Sequence, residues 1–132
     1  MQKLEYDRKY PTFSKTNATL RIYHDKITPE EITQLLDILP TDCQLKNGKI
    51  KFNGWFLSSE KMVKSKDCRE HIDIILNDII PKKEVIQNLI KQGALIGMSC
   101  FWLSKNGRGR PTLSLGQCQK LAKLKIDIWF DF

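Results

Sequence analysis

The segment Lys105-Asn106-Gly107-Arg108-Gly109-Arg110-Pro111 holds the residue types that come nearest to a ligand site. Glycines let a ligand approach the backbone, and arginines offer forked donors to phosphate or carboxylate. Ser114 follows as a helix cap, whose free N–H groups would add to the pull on an anion. The spacing matches neither G-x-x-x-x-G-K-[ST] nor G-x-G-x-x-G. A small-anion sensor built on residues 105–110 is therefore one expectation, and a solvated connection is the plainer one.

The other reactive residue types do not assemble into a set. His24 and His71 have no Cys or Asp at ligand spacing, so neither a metal nor a cofactor is expected. Cys43, Cys68, Cys100 and Cys118 lack a C-x-x-C pairing and read as reduced, small hydrophobes. Cys100 lies in an apolar run, where a thiol loses reactivity. Glu30-Glu31 suits a helix start, and Asp127 and Asp131 are not nearest same-side neighbours on a strand. A catalytic role is not expected.

Charge points to recognition instead. The formal net charge is +7, and Lys49, Lys51, Lys61, Lys64 and Lys66 stand against Glu60 alone in their stretch. The segment from Lys105 to Lys125 has no acid. Such a balance favours an acidic partner: a protein face, nucleic acid or anionic lipid. The candidate contact residues are Lys49, Lys51, Lys61, Lys64, Lys105, Arg108 and Arg110. Trp55, Phe101, Trp102 and Trp129 lie in expected strands and would stack bases if exposed, though the pattern of an RNA-recognition strand is missing.

These residues must be positioned by a short series of elements. Ala18–Tyr23 alternates as a strand. Thr28-Pro29-Glu30-Glu31 opens a helix that Pro40 ends. Asn47-Gly48 reads as a two-residue hairpin turn between runs 43–46 and 49–52, and Asn53-Gly54 as a bulge. Asp67 caps a second helix, stopped by Pro81, and a third runs over 82–91 to Gly93. Residues 94–103 form an uncharged strand, expected to be buried on both faces. Ser114 caps a last helix with Cys118, Leu121 and Ala122 inward, and 126–132 alternates as a final strand.

This order predicts an α+β fold, two layers, with helices on one face of a mostly antiparallel sheet. A ferredoxin-like β-α-β-β-α-β core extended by a C-terminal helix and strand would satisfy it. At 132 residues the chain fits one domain, residues 1–132, with 1–17 as an irregular arm or edge strand. The polar N-terminus has no signal-peptide core, and no apolar run approaches a membrane span, so a cytoplasmic protein without membrane contact is expected.

Three blocks carry a resemblance. They are Asp25–Ile32 with Leu35-Leu36 and Leu39-Pro40-Thr41, then Asn53–Glu60, and finally Phe101-Trp102 through Pro111–Ser114, Leu121-Ala122 and Ile126–Asp131. Together they resemble the bacterial domain-of-unknown-function family catalogued as 4279, across roughly Ala18 to Phe132. The family pattern is richer in glycine and less basic at Arg108 and Arg110, so a shared function does not rest on those arginines. The resemblance implies a fold and no catalytic residue. Families of this kind imply partner-neutralising proteins of bacterial toxin systems. The leading expectation is thus a non-enzymatic protein-binding module, an immunity protein that occupies a toxin. A nucleic-acid-binding protein with a basic surface is the alternative.

Overall fold

A computed structural model describes residues 5–10, 13–107 and 109–132. The elements in chain order are β1 (Phe13–His24), α1 (Pro29–Leu36), β2 (Asp42–Gln44), β3 (Asn53–Ser58), α2 (Cys68–Ile79), α3 (Lys83–Lys91), β4 (Leu95–Ser104), α4 (Leu115–Leu124) and β5 (Asp127–Asp131). A single 3-10 turn, Ile80–Lys82, joins α2 to α3 around Pro81. The sheet order is β2-β3-β1-β4-β5. Every pairing is antiparallel except β4 with β5, which the α4 crossover makes parallel. The fold is α+β, with a mostly antiparallel sheet.

Alternation along β1 divides the sheet into two faces. Ala18, Leu20 and Ile22 are fully buried and share one core with Trp55, Leu57, Met98 and Cys100 from the flanking strands. Ile32 and Leu36 of α1, Ile72, Ile75 and Leu76 of α2, Ile86 and Leu89 of α3, and Leu121 and Leu124 of α4 close the same core. Each large side chain buried there contributes about 1.5–3 kcal/mol. Trp55, wholly buried, donates its indole N–H to Thr33 Oγ1 at 3.0 Å, so its polar edge is satisfied.

The helix starts follow local chemistry. Thr28 Oγ1 accepts the Glu31 N–H, and Asp67 Oδ1 accepts the Arg69 N–H at 3.0 Å. Ser114 and Gln117 exchange both bonds of a capping box. The Gln117 amide then donates to Asp73 Oδ1 and to the Arg69 carbonyl, tying α4 to α2. This bond sets the rotational phase of α4. Gln117, Leu121 and Leu124 face inward, Leu121 as expected, while Cys118 and Ala122 are exposed where an inward position was expected.

Other expectations are corrected by long-range pairing. β1 begins at Phe13 because β4 pairs with it past an irregularity between Phe13 and Lys15. Asn47-Gly48 does not join two paired strands. Asp42–Gln44 pairs with Gly54–Phe56, which leaves 45–52 as a longer connection. Asn47 Oδ1 accepts the N–H groups of Lys49 and Ile50, so the turn exists inside that connection. Gly54 is no bulge. It pairs regularly with Tyr23 and Gln44, and a Cβ there would stand 2.5 Å from the Phe56 ring. β4 is buried only at its centre, since Leu95 and Leu103 are exposed.

Candidate functional site

The sheet face opposite the core carries no helix among the described residues, and its side chains form ordered rows. One row runs Asp42, Phe56, Arg21, Gly97, Asp127 across all five strands. The next sets Ser58, Thr19, Ser99 and Trp129 side by side. Arg21 occupies the middle. Its Nε donates to Ser99 Oγ at 2.9 Å, and its guanidinium carbon lies 5.3 Å from the centre of the Phe56 ring. Tyr23 meets Phe56 edge to face at 5.5 Å. A shallow cavity of about 380 Å³ opens beside Arg21, lined also by Thr41, Phe56, Ser58 and Lys61 and by two carboxylates, Asp42 and Glu60. The arrangement is a fixed cation held against one aromatic ring in a mostly polar cavity, where Arg21 and Lys61 stand against Asp42 and Glu60.

The cations proposed from sequence do not gather in one place. Lys49 and Lys51 lie in the β2–β3 connection, near the C-terminal end of β1, where Lys46 Nζ donates to the Asp25 carbonyl. Lys61 and Lys64 follow β3 at the opposite end, because Ser59 N–H bonds to the Ala18 carbonyl, halfway along β1. Lys105 follows β4 at that same end, where Ser104 pairs with Phe13. Arg110 shares a crevice with Lys66, Tyr10 and Phe13. Arg108 lies outside the described residues. The described part of the basic loop, with Gly107, Gly109 and Arg110, lines a cavity of about 430 Å³ together with Trp102, Phe130 and Phe132.

Beside that end is a groove of about 300 Å³ where Arg8, Lys15, Lys64 and Lys66 converge, with Ser14 and Thr16 on one wall. Arg8 grips Glu70 with Nε and Nη2, at 2.8 and 2.5 Å, and Lys15 meets Glu60 at 2.8 Å. These contacts hold the Glu70 and Glu60 carboxyls below their usual range. Under the groove lies His71. Its Nε2 bonds to the Ser65 carbonyl, which requires the proton there, so Nδ1 accepts from the Ser59 hydroxyl at 2.6 Å. Ser59 Oγ in turn accepts the Ala18 N–H. Burial keeps the ring neutral and its pKa below 6.5. A serine beside an imidazole suggests a nucleophile, but Ser59 is 0% exposed and its oxygen is engaged. The pair bonds a loop to the core.

Further titratable groups hold the N-terminal strap and the core. Residues 5–10 strap across α2. Tyr6 donates to Asp73 and the Asp7 N–H to Asp67 Oδ2, and burial with the Asp73 contact pushes the Tyr6 hydroxyl pKa up. Cys68 and Cys100 are buried free thiols; Cys68 donates to the Thr112 carbonyl, and the Cys68 contact together with burial pushes the Cys100 thiol well up, while Cys43 and Cys118 are exposed. Among the described residues no group of three or more His, Cys, Asp or Glu is placed to hold a metal, and no helix is long and apolar enough to cross a membrane.

Residues 14–132 match the family model described as Domain of unknown function (DUF4279). The chain belongs to this family. No curated protein and no solved structure matches it. The DUF4279 match takes in all five strands and so the Arg21 face, while Arg8 on the groove lies before it.

Within this DUF4279 chain, the residues that sequence reasoning passed over are Arg21, Phe56, Ser99, Arg8 and Lys15. Arg21 carried a signal, since the alternation placed it on the outward side of a strand with Thr19 and Tyr23. Of the aromatics considered for stacking, Trp55 is fully buried. Phe101 and Trp129 share the open face, and Trp102 packs on Phe13 and Phe132.

Proposed function

We propose that the chain is a non-enzymatic, cytoplasmic protein-binding module, an immunity protein of bacterial type that neutralises a toxin by sitting on it. The observation that supports this reading is the uncovered sheet face with Arg21 fixed between Ser99 and Phe56. An arginine beside aromatic rings, already immobilised before contact, is the kind of residue on which interfaces concentrate their energy. Lys61 and Thr41 border the same cavity and would receive an incoming carboxylate beside Arg21, which has to outweigh the nearby Asp42 and Glu60. The partner therefore presents an acidic side chain, and the general positive charge speeds encounter. The direct test is co-expression with the product of the adjoining gene, read as co-purification of a stoichiometric complex and as survival of cells expressing both. A protein that stays monomeric beside that product and leaves the cells unprotected rejects the reading.

A second reading, nucleic-acid binding, draws on the basic end formed by Lys64, Lys66, Lys105 and Arg110. It predicts binding to a single-stranded oligonucleotide that weakens steeply with salt. Absence of binding at low ionic strength removes it.

A further inference from the structure

The groove between the N-terminal strap, the start of β1 and the loop after β3 has a composition that the sheet-face reading does not use. Four cations line it, and they come from segments that are far apart in sequence: Arg8, Lys15, and Lys64 with Lys66. Two are already neutralised. Arg8 is held by Glu70 and Lys15 by Glu60. Lys64 and Lys66 have no carboxylate partner among the described residues. Two uncompensated positive charges match the ≈ −1.5 to −2 of one phosphoryl group near neutral pH.

The donors are also set in advance. With Nε and Nη2 of Arg8 bound to Glu70, the guanidinium plane is fixed and its remaining N–H groups are left for a further acceptor. The Lys66 N–H bonds the Arg8 carbonyl, which locks the strap and the loop in register. Such anchoring lowers the ordering cost that a surface lysine cluster would otherwise meet on binding. The groove, at about 300 Å³, stands at the lower limit of small-molecule sites. It has room for a phosphoryl group and a small ester around it.

We infer that this groove is a binding site for a single phosphoryl dianion, either free phosphate or a small phosphate monoester, held by Arg8, Lys15, Lys64 and Lys66. Lys64 and Lys66 supply the net charge, and Arg8 supplies oriented hydrogen bonds. The site adjoins the Arg21 cavity through Glu60, which lines both, but it uses other cations and would persist if the chain bound no toxin.

The test is a titration of the full-length protein followed by 1H–15N NMR, with inorganic phosphate, phosphoserine and sulfate as separate probes at constant ionic strength. Saturable shifts at the amides of residues 8, 15 and 64–66 with phosphate are expected, with sulfate weaker. A Lys64→Ala/Lys66→Ala variant is expected to bind at least tenfold more weakly; Lys64 is exposed and Lys66 half-buried, so Lys64→Ala alone, with an unchanged melting temperature and weaker binding, separates lost binding from lost folding. Equal binding of phosphate and phosphoserine identifies the phosphoryl group as the recognised unit, and binding of phosphate alone identifies the free anion; both support the site. Shifts that never saturate, that match between phosphate and sulfate, or that survive in the double variant overturn it. So does an oligonucleotide that binds at this groove while neither phosphate probe does.

Discussion

The indole of Trp129 lies against the backbone of Gly97, where any added Cβ would collide with the ring. The two residues belong to neighbouring strands, and the contact seals the edge strand β5 to β4 on the open face. Gly97→Ala is therefore expected to swing the indole off the sheet and to cost about 1–3 kcal/mol. The measurement is a urea unfolding midpoint together with the Trp129 indole NMR resonance. An unmoved resonance and an unchanged midpoint would count against the contact.

Arg21→Ala should separate binding from folding. Loss of its bond to Ser99 costs about 0.5–1.5 kcal/mol of stability. Loss of partner affinity should exceed about 2 kcal/mol, roughly thirtyfold, if Arg21 is the central contact. Calorimetric titration of the adjoining gene product checks this. Equal affinity in the variant and the parent protein moves the interface away from the sheet face.

Acid should destabilise the protein in two stages. His71 is neutral in the folded state, with a pKa below 6.5 because of burial. As pH falls below 6.5 the unfolded chain takes up a proton that the folded chain refuses, so stability declines until the lowered folded pKa is passed. Glu70 is lowered by the Arg8 contact. At Asp67 the bonds from Arg69 and the backbone outweigh a burial effect of opposite sign. Their contribution is present above the ordinary carboxylate range and disappears as pH drops through their lowered values. Urea midpoints from pH 8 to pH 3 should show both declines. An imidazole resonance of His71 that titrates at or above 6.5 would contradict the first.

The thiols should divide into two classes. Cys43 and Cys118 are exposed and should react at once with a disulfide reagent in native buffer. Cys68 and Cys100 are buried and should react only at the rate at which the fold opens. Mass spectrometry of partly labelled protein distinguishes the sites, and early labelling of Cys100 would contradict the close packing of the core around it.

What the sequence revealed and what it hid follow from the distance over which each feature is decided. The caps at Thr28, Asp67 and Ser114 are set by the next three residues, and all form as read. The facing of Ala18, Leu20 and Ile22 follows from alternation alone. By contrast, β1 reaches back to Phe13 only because β4 lies alongside, and α4 turns Cys118 outward only because Gln117 finds Asp73. The groove was hidden for the same reason. Arg8, Lys15 and Lys64 become neighbours only through the strap and the sheet, so a search along the chain found the lysine run and missed the arginine and lysine facing it.

The position of β1 also has a consequence for synthesis. The strand leaves the ribosome early, yet one of its two edges must wait for β4, with Ser14 and Leu103 meeting across 89 residues. At ribosomal speeds of ~5–20 residues/s, that delay is on the order of ten seconds. During it the nascent chain carries the bare hydrogen-bonding edge of its longest strand. Conditions that slow elongation between α2 and β4 should therefore favour loss to aggregates over accumulation of folded product.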